Sequence, residues 1–144
     1  MVLLLSSCTS KKNEVMKYFP DIKELNTILM ENQNQLKWMN NPDSVSLKVS
    51  ATKDIIQKLK ENINLTQIES HDTVRLLDNV QQSGLAYYFG DETSQKEDYV
   101  ILIFGEDKNT LDTFKYYEQF SDCSKKENIN NNWEYASIDP DCNN

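Results

Sequence analysis

The chain has 144 residues, which suits one hydrophobic core and is too short for two. An apolar content of 38% with only three Gly and three Pro argues against a disordered chain and against a barrel of many turn-linked strands. The net charge of −8 disfavours nucleic acid and anionic lipid headgroups as ligands, because either is repelled within a Debye length of about 10 Å.

In chain order, Met1-Val2-Leu3-Leu4-Leu5-Ser6-Ser7-Cys8 is apolar, closes on small residues before a cysteine, and gives way to the polar Thr9-Ser10-Lys11-Lys12-Asn13-Glu14. That pattern fits an apolar leader meeting a processing site. Leu5-Ser6-Ser7-Cys8 resembles the lipobox of bacterial lipoproteins. The resemblance covers about eight residues, and the pattern departs from a full signal peptide in having no basic residue before a short apolar run. It implies diacylation of the Cys8 sulfur, with Cys8 as the new N-terminus. It also implies delivery to the cell envelope and, since Thr9 is not Asp, to the outer membrane facing the periplasm. Residues 1–8 then read as a truncated signal peptide, 9–20 as a tether and 21–144 as one α+β domain. With Cys8 assigned to lipid, Cys123 and Cys142 remain, and an exported chain is expected to oxidise them. The bridge would close about 19 residues and contribute about 3 kcal/mol in the chain-entropy treatment.

From Asp21, the apolar residues Ile22, Leu25, Leu29, Leu36 and Met39 fall at helical spacing, with Phe19-Pro20-Asp21 as the start. Asn40-Asn41-Pro42-Asp43 breaks this helix. Val45, Val49, Thr52, Ile56, Leu59 and Ile63 then predict a second long helix, giving a helical hairpin. A competing reading makes Val45, Leu47 and Val49 a strand and keeps only 52–63 helical.

After Ile63 the period changes. Gly84-Leu85-Ala86-Tyr87-Tyr88-Phe89-Gly90 and Tyr99-Val100-Ile101-Leu102-Ile103-Phe104-Gly105 are aromatic and β-branched, and predict a central antiparallel pair joined by an acidic loop over 91–98. Residues 73–80 read either as a preceding strand or as a short helix. Leu111, Phe114, Tyr117 and Phe120 suggest a helix, 121–132 a polar linker, and Trp133–Ile138 a closing strand. The expected architecture is α+β: an N-terminal antiparallel helical hairpin packed on a small antiparallel sheet of three to five strands.

The chemistry-bearing residues are few. One His and one Arg leave little material for a catalytic triad, and no P-loop, dinucleotide fingerprint or zinc-protease motif occurs. His71 reads as a loop histidine. The carboxylates Asp91, Glu92, Glu97 and Asp98 lack EF-hand positions and read as a solvated acidic loop. Neither enzymatic activity nor a metal or other cofactor is expected.

Charge is unevenly placed. Residues 11–63 hold nine Lys against seven acids, or +2, while 64–144 hold five Lys and one Arg against sixteen acids, or −10. A protein partner should therefore be basic. Its candidate contacts are Asp91, Glu92, Glu97 and Asp98 together with the aromatics Tyr87, Tyr88, Trp133 and Tyr135. The function expected is that of a tethered, non-catalytic binding module, possible partners including a basic toxin held by an immunity-type protein. The alternative is an accessory lipoprotein that docks through its helical hairpin.

The tether has a direct check. Cells expressing the chain with its native upstream start should retain it in the membrane fraction with acyl mass on Cys8, and Cys8→Ser should release it. A Cys8→Ser form that stays with the membrane would defeat the assignment.

Overall fold

The computed structural model describes residues 11–36, 41–74, 81–90, 99–106 and 124–138. Helices α1 (Lys11–Lys17), α2 (Phe19–Glu31), α3 (Gln33–Leu36), α4 (Pro42–Lys48) and α5 (Lys53–Ile63) precede strands β1 (Leu65–Val74), β2 (Gln81–Phe89), β3 (Tyr99–Gly105), β4 (Ser124–Asn128) and β5 (Trp133–Ile138). The fold is α+β, as the patterning implies: helices come first and pack on a five-stranded antiparallel sheet in the order β1-β2-β3-β5-β4.

Helix α2 starts with Pro20 in its first turn and Asp21 near the positive end of its dipole. It buries Ile22, Leu25, Asn26 and Leu29 along one stripe. The expected helix from Asp21 to Met39 is cut short. At Asn32 the backbone N–H reaches Leu29 O at 3.0 Å, and the side-chain amide donates to Ile28 O at 2.8 Å. Those bonds satisfy carbonyls at the end of α2, and a separate turn, α3, carries Leu36 into the core.

The second stripe shows the opposite lesson. Val45, Val49, Thr52, Ile56, Leu59 and Ile63 are all buried, so the spacing identifies the inward face correctly. The backbone is nevertheless two helices rather than one, with a 3₁₀ turn at Ser50–Thr52. Val49 leaves the helical region at φ −117°, ψ 86°, and the buried Thr52 hydroxyl donates to Val49 O at 2.6 Å. β-branched residues with a competing side-chain bond interrupt a helix without moving its apolar face. Neither the unbroken helix nor the strand at Val45–Val49 forms. Asn41 caps α4 by accepting from the Asp43 N–H at 2.8 Å, ahead of Pro42.

Asn64 closes α5 in the left-handed region, φ 54° and ψ 55°, and its N–H bonds Leu59 O. This sharp exit turns the chain straight into β1. The strand therefore begins at Leu65, not near Thr73, and residues 75–80 lie outside those described. A bulge between Leu65 and Gln67 frees the Thr66 hydroxyl to donate to the carbonyls of Tyr88 and Gly90.

The expected central pair is present as β2 and β3, running from Gly84 opposite Gly105 to Phe89 opposite Val100. Alternate residues serve two separate clusters. Leu85, Tyr87, Phe89, Val100 and Leu102 meet the helices, whereas Ala86, Tyr88, Tyr99, Ile101, Ile103 and Ala136 form a second buried cluster. The stretch read as a linker contains β4, whose Ser-Lys-Lys-Glu-Asn sequence has little strand character of its own. Pairing with β5 supplies what propensity lacks, and lysines suit an edge strand because they discourage further pairing. The expected helix over 111–120 lies outside the described residues.

The N-terminal boundary also shifts. Residues from Lys11 are not slack chain, because α1 is helical and its Val15 is fully buried in the main core. Lys12 pairs with Glu127 of β4 and lies 5.5 Å from the centre of the Tyr135 ring.

Leu59 is buried where the helical layer meets the sheet-facing core. Leu59→Ala should cost about 2–5 kcal/mol in a urea denaturation, from lost burial plus the residual cavity. A loss below about 1 kcal/mol would show that α5 is not part of the cooperative core.

Candidate functional site

One cleft of about 380 Å³ opens where α2 crosses the ends of β3 and β5. Lys23, Asn26, Thr27, Met30 and Glu31 of α2 form one wall, and Phe104 and Trp133 form the other. Its volume is within the range of small-ligand sites, and its lining joins apolar surface to a few polar groups.

Trp133 is held from several directions. Asn130 Oδ1 accepts from the backbone N–H groups of Asn132 and Trp133 at 2.8 and 3.0 Å, fixing the turn that starts β5. Asn132 then donates from its amide to the carbonyls of Gly105 and Glu106 at 3.0 and 2.9 Å, joining that turn to the end of β3. Around the indole, Phe19 packs edge-on with centroids 5.2 Å apart, Phe104 lies tilted at 5.2 Å, and Tyr87 is nearly parallel at 6.1 Å. Such geometries add specific aromatic contact to plain burial.

Beneath this cluster, Tyr87 Oη donates to Asn26 Oδ1 at 2.9 Å. Asn26 is the polar residue on the buried stripe of α2, and Tyr87 comes from the sheet, so one bond joins the two layers. Burial pushes the Tyr87 phenol well above its ordinary value of 10.0. On the cleft's outer wall, the Thr27 hydroxyl returns to its own helix at Lys23 O, 3.0 Å away, and the Lys23 ammonium sits 5.2 Å from the centre of the Phe19 ring. The site offers an aromatic wall, a buried amide and charges of both signs at its rim. This suits reversible capture of a small apolar or aromatic group.

The residues expected to contact a partner are placed differently from what their composition suggests. Tyr87 is fully buried and bonded to Asn26, so it is a core residue and not a surface anchor. Tyr88 is 7% exposed, faces the opposite side of the sheet, donates to Glu69 Oε2 at 2.7 Å and lies 5.9 Å from the Tyr99 ring. Tyr135 is 5% exposed under Lys12. Trp133, 4% exposed, lines the cleft. Apolar strands with two buried faces consume aromatics that would otherwise be free for binding. Tyr87, Trp133 and Tyr135 belong to the core cluster shared with the helices, with Tyr87 stacked on Trp133, while Tyr88 belongs to the cluster on the other face. Cys8, Cys123, Cys142, Asp91, Glu92, Glu97 and Asp98 lie outside the described residues.

Sequence reasoning missed Phe19, Lys23, Asn26, Met30 and Phe104 as neighbours of Trp133. One signal was legible: Asn26 is an uncharged polar residue set among the apolar positions of Ile22, Leu25 and Leu29. A buried amide requires a hydrogen-bond partner, and here the partner is on the sheet. The register also places Gly90 and Gly105 at opposite ends of the β2–β3 pair, so the acidic sequences that follow each of them leave the pair at opposite ends. Among the described residues no three His, Cys, Asp or Glu side chains gather as a metal site.

The fold and cleft thus define a small α+β domain with an aromatic-walled crevice between its helical layer and its sheet. No protein-family model, curated protein or solved structure matches the chain.

Tyr87→Phe should destabilise the fold by about 1–3 kcal/mol, because Asn26 Oδ1 loses its donor while remaining buried. A pH signature accompanies it. The folded phenol titrates above the unfolded one, so its stabilising effect is intact below about pH 10 and is lost as pH rises beyond that. Tyr87→Phe should therefore lose less stability than the parent between pH 9 and 11, read as the change in Tm. Equal stability and equal alkaline loss would remove this bond from any role in holding the layers together.

Proposed function

We propose that the chain is an envelope lipoprotein, tethered through Cys8, whose domain is a non-catalytic binding module for a basic protein partner. The observation that carries the reading is the segregation of charge: −10 over 64–144 against +2 over 11–63. Charge of one sign, gathered on one part of a domain, steers an oppositely charged partner and speeds encounter. An immunity-type protein that neutralises a basic toxin fits the size, the acidity and the tether. That fit is one of type, and the toxin is defined only by its charge.

Tyr87, Tyr88, Tyr135 and Trp133 are all buried, so none is a free-standing anchor, and the short-range contacts of this reading fall to the cleft that Trp133 lines with Phe104 and Met30. An apolar or aromatic side chain of the partner would insert there, flanked by Lys23 and Glu31. One observation favours the alternative of an accessory protein docking through its helices. Leu47 on α4 is 86% exposed, the one large hydrophobic side chain so exposed among the described residues.

The two are separated by association kinetics with a partner recovered from envelope extract. Neutralising Asp91, Glu92, Glu97 and Asp98 together should slow association and flatten its salt dependence, while Met30→Ala beside Trp133 should speed dissociation. Charge reversal of the exposed Lys48 and Lys53 on the helices should change little. If Leu47→Ser abolishes capture and the acidic set is silent, the helical layer is the interface.

A further inference from the structure

The start of α1 limits how far the domain can stand from its anchor. Its Val15 is part of the main core, and Tyr18 N–H bonds Val15 O at 3.0 Å where α1 passes into α2, so α1 cannot be spent as linker without opening the core. Three residue steps separate Cys8 from Lys11, a reach of at most about 11 Å. A compact chain of this size has a radius of gyration of roughly 15 Å. A lipid on Cys8 therefore holds one particular face against the bilayer instead of letting the domain swing free.

That face is marked by charge. Helix α1 carries three lysines and one glutamate, β4 two lysines and one glutamate, and Glu134 of β5 stands opposite Asn128 of β4, together +2 in a chain whose total is −8. The remainder of the chain is thus −10. The tertiary fold brings these two segments to one corner, although they are separated by more than a hundred residues: Lys12 pairs with Glu127 and lies over Tyr135. Helices α4 and α5 pack at the other edge of the sheet, against β1. That edge is four interstrand steps from β4, roughly 19 Å.

We infer that the corner formed by α1 and β4 is a membrane-facing surface for anionic phospholipid headgroups; this rests on the tethered reading above. Lysines within a Debye length of an anionic leaflet are attracted to it, so charge and the short tether orient the domain in the same sense. A lipid chain beside a basic patch is a recognised two-part membrane anchor. The net acidity that argues against lipid headgroups as ligands holds for the domain as a whole and fails at this corner.

The test maps lysine reactivity on vesicles. The full chain with its lipid on Cys8 is bound to phosphatidylcholine vesicles with and without phosphatidylglycerol, acetylated with a water-soluble amine reagent, and read by mass spectrometry against detergent-released protein. If cells leave Cys8 unmodified, a maleimide lipid is coupled there in a Cys123→Ser, Cys142→Ser background. Lys11, Lys12 and Lys126 should lose modification severalfold, more strongly with phosphatidylglycerol, while Lys48 and Lys53 keep theirs. Replacing Lys17 and Lys126 by Glu should weaken the phosphatidylglycerol-dependent part by at least about fivefold per lysine. Uniform reactivity, protection of Lys48 and Lys53 instead, or protection indifferent to phosphatidylglycerol overturns the inference. Absence of acyl mass on Cys8 from cells defeats the tethered reading alone, because the coupled protein still reports which face meets the bilayer.

Discussion

Strands β2 and β3 are apolar on both faces, and the rest of the domain is arranged to keep water from them. Tyr87, Phe89, Val100 and Leu102 need a layer on one side, and α2 and α5 supply it with Ile22, Leu25, Leu29, Ile56 and Leu59. Ala86, Tyr88, Ile101 and Ile103 are buried on the other side. A pair of strands with two dry faces belongs in the middle of a sheet, and β1 and β5 flank it accordingly. Burial of each large side chain contributes about 1.5–3 kcal/mol, so this central pair and the helical stripe that covers it together supply most of the favourable side of folding.

Within that frame a buried polar contact fixes how helices and sheet meet. Apolar surfaces are indifferent to small sliding movements, whereas a buried hydroxyl and a buried amide have one good alignment. Tyr87 and Asn26 provide it, with Trp133 stacked beside the phenol. The same contact positions the cleft, because Asn26 lines it and Trp133 walls it. The crevice is therefore a by-product of the way the layers are pinned, and its shape should be rigid at the aromatic wall and softer at Lys23 and Glu31, which project from one turn of α2 and another.

Electrostatics acts on a longer scale than these contacts. Pairing of Lys58 with Asp21 and Lys60 with Asp43 ties parts of the helical layer together at exposed positions, where such pairs contribute at most about 1 kcal/mol. Lys58 and Lys60 are thus matched within the helical layer, whereas the lysines of α1 and β4 gather at one corner, where Lys12 pairs with Glu127.

By itself the sequence determined the class of fold and the identity of the inward-facing residues. Helical and alternating periods are local consequences of backbone geometry, so Ile22, Leu25 and Leu29, the stripe from Val45 to Ile63, and the paired strands at 84–90 and 99–105 were all legible. Where the chain bends was less so. The break at Val49–Thr52 and the stop at Asn32 depend on side-chain bonds to nearby carbonyls, which compete with the helix by margins too small for periodicity to register. Strands β1 and β4 were obscured for a different reason. Ser-Lys-Lys-Glu-Asn becomes a strand because Trp133–Ile138 offers it an edge, a partner supplied from outside the segment. Tertiary structure alone decided the fate of the aromatics. Composition marks Tyr87, Tyr88, Trp133 and Tyr135 as possible contacts, yet only packing determines which faces are covered, and it buried all four, Trp133 lining the cleft from within the core. It also decided that α1 belongs to the core, since the value of burying Val15 depends on residues far along the chain.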